Sequence, residues 1–182
     1  MKYLRLMVLL FCTIFCSCEH LEKMGNSTKF SYSYNAKVIK VIDGDTIKIK
    51  VFDKIINLSL YGVDAPEIGQ EFSFKSRNYL QGLVYNKEII VEPVEIENNK
   101  KDLIAKIYFI KENSDSDLEK GEYINKKIIY NGYAWHDQKI ARYDKKLRNA
   151  QQHAQHNNFG LWDSKTIPIK PEIFRQEYNQ KL

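Results

Sequence analysis

The sequence predicts an α+β fold in which five strands form a small barrel with three helices beside it. Five short runs either alternate apolar and polar residues or are rich in β-branched residues: 36–42, 46–52, 55–63, 88–96 and 103–110. Three further segments carry apolar residues at helical spacing: 70–85, 122–130 and 141–157. In this order one helix separates the third strand from the fourth, and two helices follow the fifth strand.

Turn residues connect the strands in the way a meander needs. Asp43-Gly44 is a turn signal between the first two strands, and Asp53-Lys54 can join the second strand to the third. This pairing would bring Asp45, at the start of the second strand, beside Asp64, at the end of the third. Asn131-Gly132 ends the second predicted helix, because helices commonly stop at a residue that accepts a left-handed backbone.

The composition suits one globular domain. A chain of 182 residues with 43% hydrophobic content can bury one sizeable core. The formal net charge of +5 permits binding to nucleic acid but does not argue for it, because many basic proteins bind none. The cysteines stand at positions 12, 16 and 18, so the predicted domain contains neither a disulfide nor a thiolate metal site.

The start of the chain has the pattern of a signal segment, with two basic residues ahead of an apolar run. That run, 6–16, is too short to span a bilayer. The Ser17-Cys18 pair resembles the end of a bacterial lipoprotein signal, which would be cleaved before Cys18 and leave that thiol to carry lipid. Phe15 is unusual in such a signal, so ordinary secretion and lipidation at Cys16 stay open as alternatives.

These features divide the chain into four predicted parts. Residues 1–17 are the signal segment, 18–34 a polar flexible tether, 35–176 the folded domain and 177–182 a C-terminal tail. The expected location is therefore extracytoplasmic, on a membrane through a lipid anchor. The alternative is a secreted protein.

Three carboxylates, Asp45, Asp64 and Glu67, fall at or just beyond adjacent strand ends. Calcium takes oxygen ligands from carboxylates, backbone carbonyls and water in loose geometry, so this set suits a hard cation. A purely structural interpretation stands beside this one. Asp-Gly is a common hairpin turn, and the segment from Asp64 to Glu67 can begin a capped helix.

The two segments Val41-Ile-Asp-Gly-Asp-Thr46 and Ser59-Leu-Tyr-Gly-Val-Asp-Ala-Pro-Glu67 together resemble one family, the thermonucleases or staphylococcal-nuclease-like domains. The resemblance continues through Gly132-Tyr-Ala-Trp-His136, Gly160-Leu-Trp162 and Pro171-Glu-Ile-Phe-Arg175, and covers residues 35–176. It implies a five-stranded oligonucleotide-binding-type barrel, a structure that binds nucleic acids or saccharides across one face.

The resemblance also implies a chemistry and a set of site residues. Asp45, Asp64 and the Ala65 carbonyl would hold calcium. Glu67 would hold the water that attacks the phosphodiester, so it completes the predicted metal site and is the predicted catalytic residue. The implied substrate is DNA or RNA, and a monomer is expected.

The chain departs from the family where two arginines should contact the phosphate. Ser59 and Asp102 stand at those positions, and an aspartate would repel a phosphate. The nearby lysines are predicted to bind nucleic acid as point charges: Lys100, Lys101 and Lys106. Two functions follow, a weakened calcium-dependent nuclease, or a catalytically degenerate module that binds nucleic acid or another surface partner.

Overall fold

The computed structural model of the protein describes residues 32–96, 103–113, 116, 118–163 and 168–179. The predicted signal segment with Cys18 lies outside the described residues, as does nearly all of the predicted tether. Lys100, Lys101 and Asp102 also lie outside them.

The described strands form a closed barrel, which confirms the predicted fold. Their bounds are β1 Tyr34–Val41, β2 Thr46–Val51, β3 Lys54–Leu60, β4 Val63–Asp64, β5 Glu88–Ile96, β6 Leu103–Ile110, β7 Lys120–Tyr123 and β8 Trp135–His136. Neighbouring strands follow the order β3-β2-β1-β5-β6, and β3 pairs in parallel with β6 from Leu58↔Leu103 to Leu60↔Ala105 to close the ring. Strand β7 extends the sheet beyond β6.

Four α-helices surround the barrel in the described residues, one more than predicted. They are α1 Ser73–Val84, α2 Ile124–Tyr130, α3 Lys145–His156 and α4 Pro171–Asn179, with a 3₁₀ helix at Gly160–Trp162. Helix α4 was not predicted because it is short, and because Pro168 before it and Pro171 at its start favour irregular backbone. Pro171 occupies the first helical position, where its missing N–H would have no partner in any case.

The third predicted strand ends earlier than expected. Gly62 has a φ of 70°, and the turn around it separates β3 from the two-residue strand β4. Strand β4 pairs with β8, where Asp64 lies opposite Trp135. Asp64 is therefore held on a small separate ribbon beside the barrel, and not on a barrel strand.

The core fills the barrel and the space under helices α1 to α3. Its largest fully buried side chains come from both, among them Ile47, Ile107 and Ile128. None of the helices in the described residues combines the length and the apolar character that crossing a bilayer requires.

Candidate active site

The turn from Asp43 to Thr46 positions the carboxylate of Asp45. Asp43 Oδ1 accepts hydrogen bonds from the backbone N–H of Asp45 at 3.0 Å and of Thr46 at 2.7 Å, which fixes the turn by a local side-chain contact. Gly44 is needed because helix α1 comes close. A Cβ there would lie 2.0 Å from the hydroxyl of the buried Ser76.

Asp45 bridges the turn and the segment that follows Asp64. Its Oδ1 accepts from the Thr46 hydroxyl at 2.9 Å, and its Oδ2 accepts from the backbone N–H of Ala65 at 2.6 Å. The structure thus brings together the two strand ends that the meander predicted to be adjacent. Burial, with the neighbouring Asp43 carboxylate, raises the pKa of Asp45 well above its usual value.

Asp64 and Glu67 share one cation, the guanidinium of Arg175 on helix α4. Arg175 Nη1 donates to Glu67 Oε1, and Nη1 and Nη2 lie 3.4 Å and 3.5 Å from Asp64 Oδ1. Burial raises the pKa of Asp64 to about 6. Arg175 opposes that rise, while the negative charges of Asp137 and Glu67 add to it. Arg175 ends the segment 171–175 that resembles the family, but no sequence pattern assigned it to the site.

Gln70 ties the Glu67 loop to the C-terminal segment. Its Oε1 accepts from the Glu67 backbone N–H at 2.9 Å, and its Nε2 donates to the Ile169 carbonyl at 2.6 Å. The side chain is buried, so these bonds are shielded from water. One residue therefore sets the position of Glu67 and of the chain that leads into α4.

The described residues predicted near the phosphate provide little free positive charge. Lys106 lies 3.4 Å from Glu92 and over the ring of Tyr61, so its charge is already paired. Ser59 lies in β3 between Thr46 of β2 and Ile104 of β6, and its hydroxyl carries no charge.

His136 has a structural role in this arrangement. It is buried in strand β8, and its Nε2 lies 2.8 Å from the Ala141 carbonyl, to which it donates. His136 therefore packs at the edge of the core and holds the Ala141 backbone in place.

The chemistry of the carboxylates fits a hard, hydrated cation. Asp45, Asp64 and Glu67 offer oxygen donors, and burial, with smaller contributions from the negative charges of Asp137 and Glu67, raises the pKa of Asp64. In the part of the chain that the structure describes, no three acidic, histidine or cysteine side chains converge into a metal cage. The oxygen donors are of the kind that calcium accepts, and calcium can complete its ligand shell with backbone carbonyls and water.

Comparison with known proteins places the chain in a family. The family described as staphylococcal nuclease homologue matches residues 57–164. An uncharacterized endonuclease of Haemophilus influenzae is 31% identical over 142 residues, covering 78% of this chain and 72% of that protein. Micrococcal nuclease of Shigella flexneri is 28% identical over 134 residues, covering 71% and 74%. Protein ParB of Escherichia coli is 26% identical over 146 residues, covering 80% and 81%.

The chain therefore belongs to the staphylococcal nuclease homologue family. The barrel is the fold expected of such a protein, and the nuclease names of two of these relatives support a function of nuclease type.

Proposed function

We propose that the protein is a calcium-dependent phosphodiesterase that hydrolyses DNA or RNA. The observation that carries the proposal is that Asp64 and Glu67 both contact the guanidinium of Arg175. Asp45 joins this group because it accepts a hydrogen bond from the backbone N–H of Ala65, the residue after Asp64. Ser59 and Asp102 give the phosphate no positive charge where the resemblance implies two arginines, so the proposed rate is lower than that of an enzyme with both arginines.

Asp45 and Asp64 would hold the ion with the Ala65 carbonyl, and bound calcium would supply positive charge for the phosphate oxygens. Glu67 would orient a water molecule and accept its proton as the water oxygen bonds to phosphorus. The bond from phosphorus to one ester oxygen breaks, and that oxygen takes a proton from solvent. Glu67 then releases its proton to solvent, so one water is consumed for each ester hydrolysed.

An in-gel cleavage assay tests this function and asks which nucleic acid is the substrate. The protein is renatured in gels containing DNA or RNA, with calcium or with a chelator. We expect a cleared band at the mass of the chain in calcium and none in chelator. An intact background in both gels with calcium would contradict the nuclease and favour the second function, a module that binds nucleic acid without cleaving it.

We also propose that the mature protein is a lipoprotein anchored through Cys18, on the basis of its Ser17-Cys18 pair after a short apolar run. Labelled palmitate should enter the wild type in a bacterial host and fail to enter Cys18→Ala. Equal labelling of the wild type and Cys18→Ala would show that another cysteine carries the lipid, and Cys16→Ala would then test Cys16. No labelling of either would indicate a secreted protein.

A further inference from the structure

We propose that Arg175, which helix α4 brings to the carboxylates, binds the scissile phosphate in this chain. The inference rests on the proposed nuclease function and deepens it, because it names a source for the positive charge that Ser59 does not provide.

Bound calcium would offset part of the negative charge at the carboxylate site, and a positive side chain would offset more of it as a phosphodiester approaches. Asp64, Glu67 and Asp137 interact there as negative charges. A phosphodiester brings another negative charge, and like charges in a partly desolvated site repel strongly. A cation within hydrogen-bonding reach of these carboxylates would offset that repulsion at the place where the phosphate must lie.

Arg175 has the required position and exposure. Its guanidinium contacts both Glu67, the proposed water-binding residue, and Asp64, a proposed ligand of the ion. The side chain is 48% exposed, so part of it faces the solvent from which a nucleic acid would approach. A guanidinium presents five N–H donors in a planar fork that matches two phosphate oxygens, which a lysine ammonium cannot do.

Two contacts hold helix α4 where it delivers this side chain. Gln70 donates to the Ile169 carbonyl just before the helix. In the first turn, Glu172 pairs with Lys139 at 2.5 Å. Each anchor also contacts an acidic residue of the site, since Gln70 accepts from the Glu67 backbone N–H and the Lys139 backbone N–H donates to Asp137. Arg175 is thus presented by a supported helix, an arrangement that gives more precise positioning than a loop.

Lys106, predicted to bind nucleic acid, and Lys139, which contacts helix α4, are both paired with other carboxylates. Lys106 pairs with Glu92, and Lys139 with Glu172. The contacts of Arg175, by contrast, are with the site carboxylates themselves. The competing explanation is that Arg175 only neutralises Asp64 and Glu67, in which case Arg175→Lys, which keeps the positive charge, would bind and cleave like the wild type.

The test replaces the guanidinium and measures both cleavage and binding. Arg175→Gln should lower kcat/KM for a labelled single-stranded oligonucleotide in calcium by about a thousandfold, the low end of what one arginine aimed at a phosphoryl group supplies. Arg175→Lys, which keeps the charge but loses the fork, should recover only part of this loss. The matched control is Arg142→Gln, which removes an exposed arginine lying over the Tyr143 ring and should change kcat/KM little.

Binding is measured separately by fluorescence anisotropy with a phosphorothioate oligonucleotide that resists cleavage. Arg175→Gln should bind about tenfold more weakly than the wild type, since a hydrogen bond to a charged group is lost. Arg142→Gln should bind like the wild type, and thermal unfolding checks that each variant is folded. If Arg175→Gln does not fold, the comparison passes to Arg175→Lys.

The outcomes separate this inference from the proposed function. Cleavage and binding by Arg175→Gln equal to or better than those of the wild type would overturn the role of Arg175, whether or not the protein is a nuclease. If Arg175→Gln does not fold, cleavage and binding by Arg175→Lys equal to those of the wild type would also overturn the role of Arg175. If the wild type does not cleave, the proposed function fails, and the binding comparison alone decides whether Arg175 contacts phosphate.

Discussion

Replacing Glu67 with glutamine is expected to lower the calcium-dependent cleavage rate by about a thousandfold, within the range that a positioned general base contributes. Glutamine has nearly the same shape, and its amide oxygen can still accept the hydrogen bond from Arg175. It cannot take a proton from water. The fold and the position of α4 should therefore survive while the chemical step slows.

Single-turnover cleavage of a labelled oligonucleotide isolates this step from product release. Glu88→Gln is the matched control, because Glu88 is an exposed glutamate at the start of β5. It should cleave at the wild-type rate. A rate for Glu67→Gln within about tenfold of the wild type would contradict the role of Glu67, because that loss is smaller than a general base normally contributes.

Replacing Asn125 with leucine is expected to lower the free energy of unfolding by about 3 kcal/mol, and Tm by about 10 °C. Asn125 is fully buried at the start of α2. Its Oδ1 accepts from the Ile107 N–H at 2.9 Å, and its Nδ2 donates to the carbonyls of Tyr61 at 2.9 Å and Ala105 at 3.2 Å. Leucine fills a similar volume but removes all three bonds and leaves the Ile107 N–H and the Tyr61 carbonyl without this partner, while the Ala105 carbonyl still accepts from the Tyr61 N–H.

Urea unfolding followed by circular dichroism measures this loss. The matched control is Asn157→Leu at the exposed C-terminus of α3, where the amide donates to the His153 carbonyl and water can replace it. Its free energy of unfolding should change by less than about 1 kcal/mol, as for most surface substitutions. A similarly small change for Asn125→Leu would show that the barrel does not depend on these three bonds.

Much of the barrel could be predicted because its strands carry local signals. The runs at 88–96 and 103–110 match β5 and β6 at both ends. Helix α3 begins at Lys145, four residues after the predicted start, because Asp144 caps it by accepting from Lys146 and Leu147. That cap is the kind of local signal that can refine a boundary.

The elements that the sequence analysis missed depend on tertiary contacts. Strands β4 and β8 have two residues each, and their pairing joins Asp64 to Trp135 across a large separation in the chain. No periodic pattern can appear in two residues. Gly62 interrupts the alternation that extended the third predicted strand to residue 63.

The candidate site also contains residues placed by local contacts and residues placed by tertiary packing. The placement of Asp45 follows from turn chemistry within four residues, so the spacing of the motif was enough to predict it. Arg175 reaches Glu67 across 108 positions of sequence, and only the packing of α4 brings them together. The sequence alone showed missing arginines at Ser59 and Asp102, whereas the fold supplies a guanidinium from the other end of the domain.

The most direct test of the nuclease centre is the cleavage rate of the purified wild type as calcium is titrated and then chelated. If Asp45 and Asp64 hold an ion that the reaction needs, the rate should rise to saturation, fall to background in chelator and return with excess calcium. Cleavage that persists unchanged in chelator, or no cleavage at any calcium concentration, would contradict the account.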